Sequence, residues 1–113
     1  MKDIQKGIDL FNECDYFSAH DFFEDIWMDC DREERDFYQG MVQISVGCYH
    51  LICGNRNGAK SQLKKGIDKL LKYIPEYNKV NLSELISKLE KILIDLDSNK
   101  KNIKDIPTLI ITK

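Results

Sequence analysis

The segment from Glu33 to Cys53 constrains the fold more than any other part of the chain, because it has the length of a helix and is apolar on more than one face. Such a helix cannot lie on a surface with a single stripe turned inward. It has to be the central element, with other helices packed around it. Phe37, Met41, Ile44, Cys48 and Leu51 line one side. Gln39, Gln43 and His50, at spacings of four and seven, make a polar line roughly opposite. Gly40 and Gly47 flank that line and predict the close approach of another helix there.

Four further helices follow from periodicity and punctuation. The first runs from about Ile4 to Asn12, with Ile4, Ile8 and Phe11 at helical spacing. The second starts near Asp15, a good N-cap, and carries Tyr16, Ala19, Phe23, Ile26, Trp27 and Cys30 on one stripe. After the central helix, Gly54 offers a left-handed stop and Asn55 a cap for the fourth, whose stripe is Ala59, Leu63, Ile67, Leu70, Leu71 and Ile74 before Pro75. The fifth is announced by "NLSE", where Asn81 caps and Glu84 reaches back, and continues through Leu82, Leu85, Ile86, Leu89, Ile92, Leu93 and Leu96. The stretch "DSNKKNIKD" reads as a loop. "IPTLIITK", broken by Pro107, reads as an extended tail whose Leu109 and Ile110 tuck against the bundle.

An internal echo organises these helices. When "CDYFSAHDFFEDI" is laid on "GNRNGAKSQLKKGI", Ala19 falls on Ala59 and Phe23 on Leu63. A helix, a tight turn, and a small residue four places before a large one is the grammar of tetratricopeptide-type hairpins. Two hairpins are too few for a solenoid, so a closed bundle capped by the fifth helix is expected. With 113 residues, six glycines and two prolines, the chain reads as one all-α domain over residues 1–113, a multihelical bundle of about five helices.

Several classes of function are disfavoured. The longest mostly apolar stretch, "MVQISVGCYHLICG", is short and holds Gln43 and His50, so no membrane span is expected. Met1 opens directly into "KDIQKGIDLF", without the apolar core of a secretory leader. Cys14, Cys30, Cys48 and Cys53 lack C-x-x-C spacing and read as buried thiols in a reducing compartment. Net charge is −2 but unevenly spread: acids dominate from Met1 to Phe37, whereas Arg56, Lys60, Lys64, Lys65, Lys69 and Lys72 face Asp68 alone between Gly54 and Pro75. Oppositely charged faces that attract within one domain, or between the protomers of a homodimer, explain this split better than a nucleic-acid groove does.

His20 and Glu24 are the polar residues that do not belong to an ordinary amphipathic helix. At about 100° per residue, His20 falls near the middle of the second helix's apolar face and Glu24 one turn on, at its edge. If that helix packs on the polar line of the third, His20 and Glu24 meet Gln39, Gln43 and His50, with Arg35 near one end. Three roles stand open. The cluster locks helix register as a satisfied hydrogen-bond network, or binds a small ligand. Alternatively it serves a hydrolase-like or other acid–base enzyme, with His20 and Glu24 catalytic and Arg35, Gln39, Gln43 and His50 binding. The hairpins also suit a protein-partner-binding module. A metal site built from His20, Glu24 and His50 would suit iron or zinc but is the least favoured reading, because no motif such as H-E-x-x-H is present, so neither a metal nor another cofactor is expected.

The runs "GIDLFNECDYFSAHDFFEDIW", "RDFYQGMVQISVGCYH" and "GNRNGA" together resemble the DUF309 family, small all-helical proteins of bacteria, cyanobacteria and plastids. The shared pattern is an A-H-x-x-x-E-x-x-W helix, an R-x-F-x-Q-G-x-x-Q helix ending near a histidine, and a G-N-x-x-G-A turn. It falls on His20, Glu24, Trp27, Arg35, Gln39, Gly40, Gln43, His50, Gly54, Asn55, Gly58 and Ala59. Asp21 stands where the family often has a second glutamate, and Ser45 where alanine is usual. The resemblance implies a helical bundle and the polar cluster but no activity, since the family's function is unknown. The composition, rich in Lys, Ile and Asn, suits an AT-rich genome and an expected site in the cytoplasm or a plastid stroma.

Overall fold

Three of the helices start where the sequence supplies a side-chain cap, at Asp15, Asn55 and Asn81. The computed structural model describes residues 2–98. Within them lie α1 (Gln5–Asn12), α2 (Tyr16–Asp29), α3 (Arg32–Ile52), α4 (Arg56–Leu70) and α5 (Leu82–Asp97). A 3-10 turn (Leu71–Tyr73) and two short strands, β1 (Glu76–Tyr77) and β2 (Val80–Asn81), join α4 to α5. The predicted tail, with Leu109 and Ile110, and most of the predicted loop lie outside the described residues.

The echo seen in the sequence is a repeat of hydrogen bonds with an offset of forty residues. Cys14 and Gly54 both take the left-handed conformation, at φ 66° and 81°. Asp15 N–H donates to Leu10 O at 2.9 Å, as Asn55 N–H does to His50 O at 2.8 Å. The Asp15 carboxylate then accepts from Ser18 N–H, and the Asn55 side chain from Gly58 N–H. Ala19, Phe23, Ala59 and Leu63 are all fully buried. Hairpin α1–α2 and hairpin α3–α4 are therefore built alike, and α5 packs on α4 as the capping helix.

Glycine decides which helix comes closest to α3. A Cβ on Gly40 would meet Leu70 Cγ at 2.8 Å and Gly66 O at 3.2 Å, and one on Gly47 would meet the Leu63 side chain at 2.8 Å. On the other side, a Cβ on Gly66 would meet Ile44 Cγ2 at 2.6 Å. The close approach predicted at Gly40 and Gly47 thus admits α4. At these two glycines the neighbour is α4 and not α2, the helix on which the expected cluster depended.

The core is filled by Phe11, Tyr16, Phe23, Phe37, Tyr38, Met41, Ile44, Leu63, Leu70 and Leu85, each at most 2 % exposed. Ser45 is also fully buried, and its hydroxyl donates to Met41 O at 2.8 Å, so a serine is tolerated among apolar neighbours. Two expectations fail at the end of α4: the chain tightens after Leu70, leaving Leu71 and Ile74 exposed. The antiparallel pair that follows is turned by Asn78 and Lys79, both at positive φ. Asn78 Nδ2 ties that turn to the core by donating to Tyr38 Oη at 3.0 Å.

Burial of the cysteines is also uneven. Cys48 is buried, which pushes its thiol pKa up to about 12. Cys14 and Cys53 are exposed and Cys30 lies between, so the expectation of four buried thiols holds for one; all four are free. Among the described residues no helix is long and apolar enough to cross a membrane.

Candidate functional site

The Asp15 cap sets the start of α2 and hence the direction of His20, one turn later. His20 is not in the middle of the buried face; it stands at the edge, its side chain 22 % exposed beside Glu24 at 48 %. Its Nδ1 lies 3.2 Å from Phe17 O and 3.3 Å from an Asp21 carboxylate oxygen. With the proton on Nδ1, the ring donates to these acceptors, and Nε2 turns its lone pair toward Glu24, 3.8 Å away. That gap is too long for a direct hydrogen bond. The pair offers two acceptors to solvent, an arrangement that can receive a donor or shuttle a proton.

Arg35 does not stand free to hold an anion. Its guanidinium stacks over the Trp27 ring, 4.4 Å from the centroid. The indole Nε1 of Trp27 is buried with no hydrogen-bond partner among the described residues, and so is Gln43 Oε1. His50 lies at the far end of α3, where Asn55 Nδ2 is 3.4 Å from its Nδ1. A Cβ on Gly58 would come within 3.0 Å of its ring. The predicted cluster therefore does not converge on one point: His20, Asp21 and Glu24 form one group, Trp27 and Arg35 a second, His50 and Asn55 a third.

These groups nevertheless share a surface. Around α3, the Phe17–Tyr49 ring contact (5.8 Å) and the Trp27–Arg35 stack mark the side taken by α2. Gly40 and Gly47 mark the side taken by α4, and fully buried Phe37, Met41, Ile44, Ser45 and Cys48 mark the core. The remaining sector, by the 100° step of the helix, carries Gln39, Gln43, Val46 and His50, all half-buried. By helical spacing this half-buried strip of α3 is the floor of a groove between α2 and α4.

Three large apolar side chains on the α2 side of this groove escaped the sequence reading. Phe17 is 55 % exposed, Met28 69 % and Tyr49 38 %. The available signal was their position off the buried stripe, which an apolar residue on a soluble helix ordinarily avoids. The rims differ in charge: residues 12–31 contain seven acids and no Lys or Arg, whereas α4 carries Arg56, Lys60, Lys64, Lys65 and Lys69 against Asp68. Two basic residues are paired elsewhere in the fold. Lys60 Nζ lies 2.7 Å from Asp97, and Lys72 bonds Asp36, holding its carboxyl below the usual carboxylate range.

Other recesses lie elsewhere. A cavity of about 390 Å³ is bounded by Gly54, Asn55, Arg56, Asn57, Lys60 and Leu96, and one of about 470 Å³ by the N-terminal residues with Asn78 and Lys79. Among the described residues no three His, Cys, Asp or Glu side chains are placed to hold a metal ion.

The fold defines an all-helical protein of two tetratricopeptide-like hairpins and a capping helix. The model of a domain of unknown function, DUF309, matches residues 4–62, more than half of the chain, and the chain belongs to that family. The matched stretch holds both hairpin turns and every residue of the predicted cluster. A search of curated proteins finds none that matches.

Proposed function

We propose that this protein is a partner-binding module whose groove over α3 receives a basic, partly apolar protein surface. One observation carries the reading: Phe17, Met28 and Tyr49 are exposed on the same face as His20, Asp21 and Glu24. Monomeric proteins seldom leave large apolar side chains grouped beside unneutralised carboxylates unless something covers them. Four free cysteines support a reducing site of action, the cytoplasm or a plastid stroma.

Two short amphipathic helical peptides, one of leucine and lysine and one of leucine and glutamate, test this by amide NMR on the labelled chain. The lysine peptide is expected to shift signals of Phe17, Asp21, Glu24 and Tyr49, and F17A/Y49A to weaken it by about tenfold or more. Absence of binding, equal binding of the glutamate peptide, or shifts confined to α1 and α5 would overturn the reading.

A second reading, acid–base catalysis, is favoured by the His20 geometry, with Nδ1 anchored and Nε2 facing Glu24. It needs a group to stabilise charge on the substrate, and Arg35 is engaged with Trp27. His20→Gln distinguishes the two: partner binding survives within a few-fold, whereas catalysis by His20 would be abolished.

A further inference from the structure

We infer that the groove's partner is a second copy of this chain, the two docked about a twofold axis parallel to α3 so that each acidic α2 lies on the other copy's basic α4. The inference rests on the binding-face reading above and names its occupant. What a partner must bring is a basic surface with room for Phe17, Met28 and Tyr49, and the chain carries a basic rim itself. Lys65 is exposed and Lys69 half-buried, and neither forms a salt bridge among the described residues, whereas Lys64 lies on the α5 side of α4 beside Glu90 and Leu93. Opposite them in sequence and charge stand Asp21, Glu24 and Asp25, exposed on a helix without a single Lys or Arg.

The order of the helices decides the symmetry. Across the groove the sequence of elements is α2, α3, α4, because α3 packs on both neighbours. Turning one copy about an axis parallel to α3 reverses left and right and sets acid on base at both rims, with α3 over α3. A twofold axis running across the helices would instead set acidic α2 on acidic α2, which like-charge repulsion disfavours. The favoured arrangement is isologous and closes on itself, so it yields a dimer and no filament. It also covers Phe17, Met28 and Tyr49.

Analytical ultracentrifugation of the full chain across about 1–500 µM reads the association directly. A dimer is expected, with dissociation increasing by about tenfold or more between low and high salt because the rim charges are screened. D21K/E24K and K65E/K69E are each expected to be monomeric, and an equimolar mixture to recover a one-to-one dimer, since each reversed rim then meets its complement. D21N/E24Q, which weakens the rim without reversing it, serves as the milder series, and circular dichroism checks that every variant is folded. A wild-type chain that is monomeric throughout, or a dimer indifferent to both reversals, overturns the inference, as does a mixture that fails to associate. A monomer that still binds the lysine peptide at Phe17 and Tyr49 keeps the binding face and removes only the second copy as its occupant.

Discussion

The guanidinium of Arg35 lies 4.4 Å from the centre of the Trp27 ring, so it covers the only tryptophan of the chain. The stack joins the end of α2 to the start of α3 across the tight connection at Cys30 and Asp31. Arg35→Ala is expected to cost about 0.5–1 kcal/mol, the ordinary value of a cation–π contact at a partly exposed site. It is also expected to shift the tryptophan emission to the red as the ring face gains water. Thermal unfolding and fluorescence check both, and Arg35→Lys should recover part of the stability, since it keeps the charge and loses the planar stack.

Gly66→Ala is expected to be the most damaging glycine replacement at the α3–α4 contact. An added Cβ meets Ile44 Cγ2 at 2.6 Å but also backbone atoms, Gly40 O at 3.0 Å and Ile44 N at 3.1 Å, which cannot rotate away. Overpacking of this kind costs about 1–3 kcal/mol, which outweighs the gain of roughly 1 kcal/mol from placing alanine in a helix interior. Denaturant unfolding gives the number; an unchanged midpoint would mean that the two helices separate more easily than this packing allows.

What was legible in the sequence was local. Asp15, Asn55 and Asn81 each cap a helix through a hydrogen bond to the N–H three residues on, and a short window of residues contains the whole interaction. The Ala19/Ala59 echo was visible for the same reason. Leu71 and Ile74 misled because they continue the period of α4 beyond the point where the chain tightens into a 3-10 turn. The strands Glu76–Tyr77 and Val80–Asn81, two residues each, are too short to show any period. For the site, the residue types were readable but their grouping was not. Gly40 and Gly47 announce that some helix comes near, and only the tertiary arrangement says that it is α4.

Gln43→Met is expected to leave stability within about 0.5 kcal/mol of wild type or to raise it. The side chain's oxygen is buried without a partner among the described residues, so its desolvation in the folded chain is uncompensated there. Leaving an acceptor in that condition costs about 1–3 kcal/mol, and methionine fills similar space without it. A loss of more than about 1 kcal/mol in chemical denaturation would show instead that Gln43 belongs to a satisfied network that locks helix register.

The Asp36–Lys72 bond ties α3 to the turn after α4 and predicts how stability responds to acid. Hydrogen bonding to Lys72 holds the Asp36 carboxyl below its unfolded value of 3.8, despite the opposing effect of burial. A depressed carboxyl contributes stability that is fully present above the unfolded pKa and is lost as pH falls through the folded one. The melting temperature of wild type is therefore expected to exceed that of Asp36→Asn at neutral pH, the gap narrowing only below pH 3.8. Lys72 works in the opposite sense. Its pKa is raised by the same hydrogen bond, so its contribution persists below 10.5 and fades as pH rises beyond that value. Both groups reach solvent, Lys72 more than Asp36, so added salt should shrink the gap as well. Melting curves of wild type, Asp36→Asn and Lys72→Met between acid and neutral pH decide the matter: a gap that stays constant through the acid range would mean that the pair adds nothing that depends on the Asp36 charge.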